Sequence, residues 1–184
     1  IPLLELLADS VRERAFGVVS EKAVPHLVRA VALGESGLSH DDPRMGGLYR
    51  HLGVALRSAA RIEEARDALC QALEIFERLD RTDDVSVCVG ALSGILIELN
   101  PTEAVSVCSR YVDLQARLAP NRASHFCALT ELGRCFLLMG SKEEALTTLG
   151  EAKEMLQAGT KDQPPHRWMA DLDRLIDDAR AIVG

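Results

Sequence analysis

Apolar residues recur along the chain at intervals of three and four, and strict alternation is nearly absent. That spacing collects apolar side chains on one face of a helix, so the pattern predicts an all-α chain. Nine segments carry it: 2–18, 20–34, 43–59, 61–79, 84–99, 101–118, 122–139, 141–158 and 165–183. Start and stop signals separate them. Ser20 precedes the second segment. Asp42-Pro43 opens the third, with Asp as N-cap and Pro at the first helical position. Asn100-Pro101-Thr102-Glu103 repeats that arrangement and adds Glu at the third position, a capping box. Ser141-Lys142-Glu143-Glu144 reads as another box, and Asn121 as the cap of 122–139. Gly34, Gly140 and Gly159 stand where helices should stop. Most links are short, so successive helices should pack antiparallel. The longer breaks, GESGLSHDDP and AGTKDQPP, are polar turns rather than domain linkers.

The helical pattern also repeats at longer range. Leu52-Gly53 and Leu132-Gly133 are 80 residues apart, and Leu92-Ser93 lies midway. The small residue opening the second helix of each pair recurs as Ala23, Ala65, Ala104 and Ala145, separated by 42, 39 and 41 residues. Seven residues later stand Ala30, Ala72, Tyr111 and Ala152, of which Tyr111 departs from the pattern.

These positions resemble the tetratricopeptide repeat (TPR) family: a large residue, Leu-Gly, an aromatic or large apolar residue, Ala, a large apolar residue, Ala. The second repeat reads Tyr49, Leu52-Gly53, Leu56, Ala65, Leu69, Ala72, and the fourth Leu129, Leu132-Gly133, Phe136, Ala145, Leu149, Ala152. The third reads Val89, Leu92-Ser93, Leu96, Ala104, Cys108, Tyr111. The first keeps only Ala23, Leu27 and Ala30, and the closing proline of the family is missing throughout. The period, near 40 residues, is similar to the long-helix variant of kinesin light chains and of the sensor regions of large bacterial transcription activators. The resemblance implies one domain, 1–184: a right-handed α-solenoid of antiparallel helix hairpins with repeats at 2–40, 43–82, 84–120 and 122–160. The segment 165–183 breaks the repeat. Its apolar stripe (Trp168, Leu172, Leu175, Ile176, Ala179, Ile182) and acidic opposite face suit a terminal cap.

The resemblance further implies that the first helix of each repeat lines a concave groove. On that reading the middle helix presents Gly90, Gly94 and Glu98. The flanking repeats add Arg50, His51 and Arg57 on one side and Thr130, Glu131 and Arg134 on the other. Arg12 comes from the first repeat. Each glycine inside a helix costs about 1 kcal/mol against alanine, so two of them four residues apart need a reason. Either they clear the groove floor for a ligand or they let neighbouring helices approach. Arginines beside such a floor suit carboxylates. The Lys/Asn clamp with which chaperone-binding TPR domains hold a chaperone tail is unmatched, because Gly90 and Gly94 occupy its positions.

Composition narrows the function. The net charge of −7 argues against a nucleic-acid surface, whose affinity rests on Lys and Arg. No apolar run is long enough to span a bilayer, and IPLLELLA lacks the basic start of a signal peptide. Cys70, Cys88, Cys108, Cys127 and Cys135 are odd in number and contain no Cys-x-x-Cys pair, which predicts reduced, mostly buried thiols in a cytoplasmic protein. The five histidines are scattered, and no phosphate loop or nucleophile elbow occurs. No catalytic residue, metal site or cofactor is expected. The expected role is a non-catalytic scaffold binding a protein or peptide in its groove. Two alternatives remain open. One is a ligand- or peptide-sensing region of a larger bacterial regulator, in keeping with a chain that opens at Ile1; the other is self-association as a homo-oligomer.

Overall fold

In the computed structural model, residues 21–39, 41–118, 123–158 and 166–182 are described. They form eight α-helices: α1 (Val24–Gly37), α2 (Pro43–Ser58), α3 (Ile62–Arg78), α4 (Thr82–Leu99), α5 (Pro101–Leu118), α6 (Ala123–Leu138), α7 (Lys142–Ala158) and α8 (His166–Ala181). A single 3-10 turn, Glu21–Ala23, leads into α1. The fold is all-α, as the periodicity predicts. The helix expected over 2–18, with Arg12, lies outside the described residues, as do Ser20, Asn121 and Gly159.

Local chemistry explains most of the boundaries. The Asp42 carboxylate accepts from the Arg44 backbone N–H at 2.9 Å, the N-cap bond expected ahead of Pro43. Asn100 Oδ1 accepts from the Glu103 N–H at 3.3 Å. The other half of that box is not made, because the Asn100 N–H donates to the Leu96 carbonyl at 2.7 Å and so closes the preceding helix. The Ser141 N–H likewise donates to the Phe136 carbonyl at 2.9 Å rather than to Glu144. Gly34 does not end α1, which runs on to Gly37. It is instead a contact point: a β-carbon there would lie 2.5 Å from Met45 Sδ.

Three helix ends share one device. After α2, Arg61 N–H donates to Leu56 O at 2.9 Å while Ala60 N–H donates to Arg57 O at 3.0 Å. After α3, Arg81 bonds Phe76 and Asp80 bonds Glu77; after α6, Ser141 bonds Phe136 and Gly140 bonds Leu137. This is the Schellman closure, and it needs a left-handed residue at its centre. Those residues are Ala60 (φ 57°), Asp80 (φ 51°) and Gly140 (φ 73°). Each turn then starts the next helix at once, as Ala65, Val85 and Ala145 bond back to Arg61, Arg81 and Ser141.

The chain divides into two compact units, Ile1–Ile95 and Leu96–Gly184. In the first, α1, α2 and α3 pack in sequence. Leu48, Ala65, Leu69 and Ala72 are sealed from solvent. A β-carbon on Gly53 would meet Leu69 Cγ at 2.6 Å and the Ala65 carbonyl at 3.1 Å, so the absence of a side chain sets the distance between α2 and α3. The second unit repeats this contact. A β-carbon on Gly133 would meet Leu149 at 2.5 Å, and Ala145, Leu149 and Ala152 are fully buried. In this unit α5 through α8 pack in sequence, and α6 also touches α8. Leu172, Ile176 and Ala179 seat α8 on the core formed with Phe126, Leu129 and Leu149. Lys142 Nζ donates to the carbonyls of Arg180 (3.2 Å) and Ile182 (2.8 Å), satisfying acceptors that a helix end leaves open.

Candidate functional site

The predicted groove residues fall in both units. In the first, Arg50, His51 and Arg57 project from α2 and Gly90 and Gly94 lie on α4. Gly94 is buried, but not as an open floor. A β-carbon there would lie 3.0 Å from Arg57 Nη1 and 3.1 Å from Nη2, so the space over the glycine holds the guanidinium of Arg57. Gly90 is half-buried, and its carbonyl accepts from Ser93 Oγ at 2.8 Å. Arg50 Nε and both ring nitrogens of His51 are shut off from solvent. The thiol of Cys88 is pushed up to about 12, chiefly by burial, with the Arg50 charge opposing. The space over Gly94 is thus taken by Arg57.

A cleft of about 270 Å³ in the same unit is lined partly by Glu35, Met45, Tyr49, Glu74 and Arg78. Several of its polar groups are already committed. Tyr49 Oη donates to Glu35 at 2.5 Å, and Arg78 reaches Asp41 at 3.6 Å. Burial, then the Glu35 carboxylate, holds the Tyr49 phenol up at about 12.

The second unit carries a different surface. Thr130, Glu131 and Arg134 stand on adjoining turns of α6 and line a cleft of about 260 Å³ between α6 and α8. Phe126 and Cys127 complete the α6 wall, while Trp168, Asp171 and Leu172 form the wall on α8. Phe126 and Trp168 stack with ring centroids 5.6 Å apart and planes 14° from parallel. Phe126 is buried, yet Trp168 remains 38% exposed. The Thr130 hydroxyl donates to the Phe126 carbonyl at 2.9 Å, so its methyl group rather than its oxygen is left for contact. Burial pushes the Cys127 thiol up, with Glu131 adding to it. Tyr111, near Glu131, is held up at about 12, again mainly by burial. Neither Arg134 nor Asp171 makes a hydrogen bond or ion pair among the described residues. The cleft thus presents an exposed indole, with Arg134 on one wall and Asp171 on the other.

Glu98, the remaining predicted groove residue, is exposed on the last turn of α4. The α8 half of the cleft was not among the residues expected to form the groove. The apolar stripe of 165–183 read as a terminal cap, and Leu172, Ile176 and Ala179 do serve that purpose. Trp168 lies at the end of the stripe and remains half outside it. If the last helix is read instead as the first helix of a further repeat, with Leu172 in the place of Leu132, Asp171 takes the groove position of Glu131, whereas Trp168 takes the position that Leu48, Cys88 and Ala128 fill as core residues.

No protein-family profile and no curated protein sequence matches the chain. Solved structures do. BtubC (BKLC) from P. vanneervenii superposes with a TM-score of 0.75 at 18% identity, covering 88% of this chain and 69% of that one. A putative kinesin light chain of Podosopora anserina with nearly identical TPR-like repeats gives 0.74 at 20% identity, covering 98% of this chain and 94% of that one. A point variant of that protein gives 0.76 at 20% identity over 98% and 93%. The fold is a TPR-like helical repeat. The long-period resemblance read from Leu-Gly and Ala positions therefore holds across nearly the whole chain, and the TPR-like repeat accounts for the paired contacts of Gly53 with Leu69 and Gly133 with Leu149. No helix among the described residues is long and apolar enough to cross a membrane, and none of their His, Cys, Asp and Glu side chains form a cluster able to hold a metal ion.

Proposed function

We propose that this chain is a non-catalytic TPR-like scaffold that binds a protein or peptide segment, and that the α6–α8 cleft is its contact surface. The observation that carries the reading is Trp168. It is a large aromatic residue, 38% exposed, and among the exposed large apolar side chains of the described residues it is the one that lines this cleft. Aromatic anchors of this kind dominate interface energetics once a partner covers them. Arg134 and Asp171 give the cleft a polar rim that can fix register. Catalysis has no evident machinery here, since the cleft offers no nucleophile paired with a base. Cys127 is its only thiol, and that group is held in the protonated form.

The test is selection of a random dodecapeptide library on the immobilised chain. Peptides whose binding changes on Arg134→Glu or Asp171→Arg support the reading; both side chains are exposed, so neither change should disturb folding. Failure to enrich any peptide, or enrichment insensitive to both changes, contradicts it. Binding of a metabolite rather than a peptide would favour the sensor alternative, and concentration-dependent size would favour self-association.

A further inference from the structure

We infer that the α6–α8 cleft recognises a cationic side chain, arginine or lysine, of its peptide partner. This inference rests on the binding role proposed above and names the chemistry of what is bound. Three features of the cleft point to it. First, Trp168 lies near-parallel to Phe126, with ring centroids 5.6 Å apart, and stays 38% exposed where it lines the cleft. The indole is the ring that attracts cations most strongly. Second, Asp171 lies three residues after Trp168 on the same helix, so ring and carboxylate share one face of α8. Asp171 has no ion pair among the described residues and can take a guanidinium or ammonium group without giving up an existing partner. Third, Glu131 places a second carboxylate on the opposite wall.

Arg134 is the one opposing charge in the cleft. The lining therefore carries two carboxylates and one guanidinium, in a chain whose net charge is −7. Arg134 would discriminate position rather than charge, because it repels a basic side chain placed at its own end and favours one placed at the indole. An acidic side chain would meet Arg134 but would then bring its charge toward Glu131 and Asp171 and onto the negative face of Trp168. Both the indole and the Asp171 carboxylate beside it favour the cation.

The test uses the full chain, labelled with nitrogen-15, and four blocked tripeptide amides: Gly-Arg-Gly, Gly-Lys-Gly, Gly-Glu-Gly and Gly-Leu-Gly. Trp168 is the only tryptophan, so its indole N–H signal reports the cleft without assignment of the rest. The arginine and lysine peptides should move that signal with a saturable concentration dependence, while the glutamate and leucine peptides should not. Asp171→Asn should weaken the arginine peptide about two- to five-fold, and Arg134→Gln should strengthen it. A signal that moves with the glutamate peptide alone, or with none of the four, overturns the inference. So does an Asp171→Asn variant that binds arginine peptide as the wild type does. Library peptides that depend on the cleft yet share no basic residue would sink this inference and leave the binding role standing. A library yielding no binder would sink both.

Discussion

The guanidinium of Arg57 lies over the backbone of Gly94, with Nη1 3.0 Å and Nη2 3.1 Å from where a β-carbon would be. The glycine on α4 makes room for a side chain from α2, and the contact is made by the far end of a long, exposed residue that can move. Gly94→Ala should therefore be tolerated. The gain in helix propensity, about 1 kcal/mol, offsets the displacement of Arg57. Gly53 and Gly133 differ, because each faces the branch of a buried leucine, and Gly53 also faces a carbonyl. Gly53→Ala and Gly133→Ala should each destabilise by about 1–3 kcal/mol through overpacking. Urea denaturation of the three variants checks the order, and a Gly94→Ala loss as large as that of Gly53→Ala would contradict it.

The three Schellman turns predict a backbone effect. Ala60 and Asp80 hold positive φ where glycine is preferred, whereas Gly140 already supplies it. Ala60→Gly should raise stability by about 0.5–1 kcal/mol. Gly140→Ala should lower it by about 1 kcal/mol, although a β-carbon there would touch nothing within 4 Å. Thermal melting of both variants reads these opposite signs directly.

Asp42 gives α2 a cap with a defined pH window. Its carboxylate accepts from the Arg44 guanidinium and from the Arg44 N–H, which lowers it from 3.8 to about 2. A depressed carboxylate contributes stability above its unfolded value and loses it as pH falls through the folded value. Asp42→Ala should thus lower the melting temperature at pH 6, and the difference from wild type should shrink between about pH 4 and pH 2. A difference that stays constant down to that lower limit would show that the cap does not depend on ionisation.

The thiols should react in two classes. Cys70 and Cys127 are exposed, while Cys88, Cys108 and Cys135 are buried. Cys108 Sγ and Cys135 Sγ lie 3.4 Å apart, and neither is reachable by solvent. An aromatic disulfide reagent at mildly alkaline pH should label two thiols of the folded chain rapidly and all five after unfolding. Cys127 should lag behind Cys70, because its thiol, although reachable, is partly desolvated against the cleft and lies near the Glu131 charge, both of which push it up.

The elements that were legible in the sequence are those fixed by local chemistry. Asp42-Pro43 and Asn100-Pro101 mark helix starts because their side chains bond the first turn, and those bonds are present. Leu52-Gly53 and Leu132-Gly133 were legible because close helix approach demands a small residue at a fixed repeat position. Gly34 misled as a stop signal, since a glycine selected for contact with Met45 carries the same letter as one selected for a turn. The cleft was half legible. Thr130, Glu131 and Arg134 follow from the helical face of α6, but the opposite wall depends on how far α8 buries its own stripe. Spacing alone assigns Trp168 to that stripe with Leu172 and Ile176, and only packing separates them. The filled space over Gly94 was equally hidden, because it depends on the path of the Arg57 side chain.

The most direct test of the central claim, that a polypeptide is held in the α6–α8 cleft, is the fluorescence of Trp168 during titration with a library-selected peptide. The exposed indole is the only tryptophan in the chain and forms part of the cleft wall. A peptide seated there should shift the emission with a saturable dependence whose midpoint matches the Kd from calorimetry. Binding by calorimetry with unchanged Trp168 emission would place the partner elsewhere on the molecule and contradict the account.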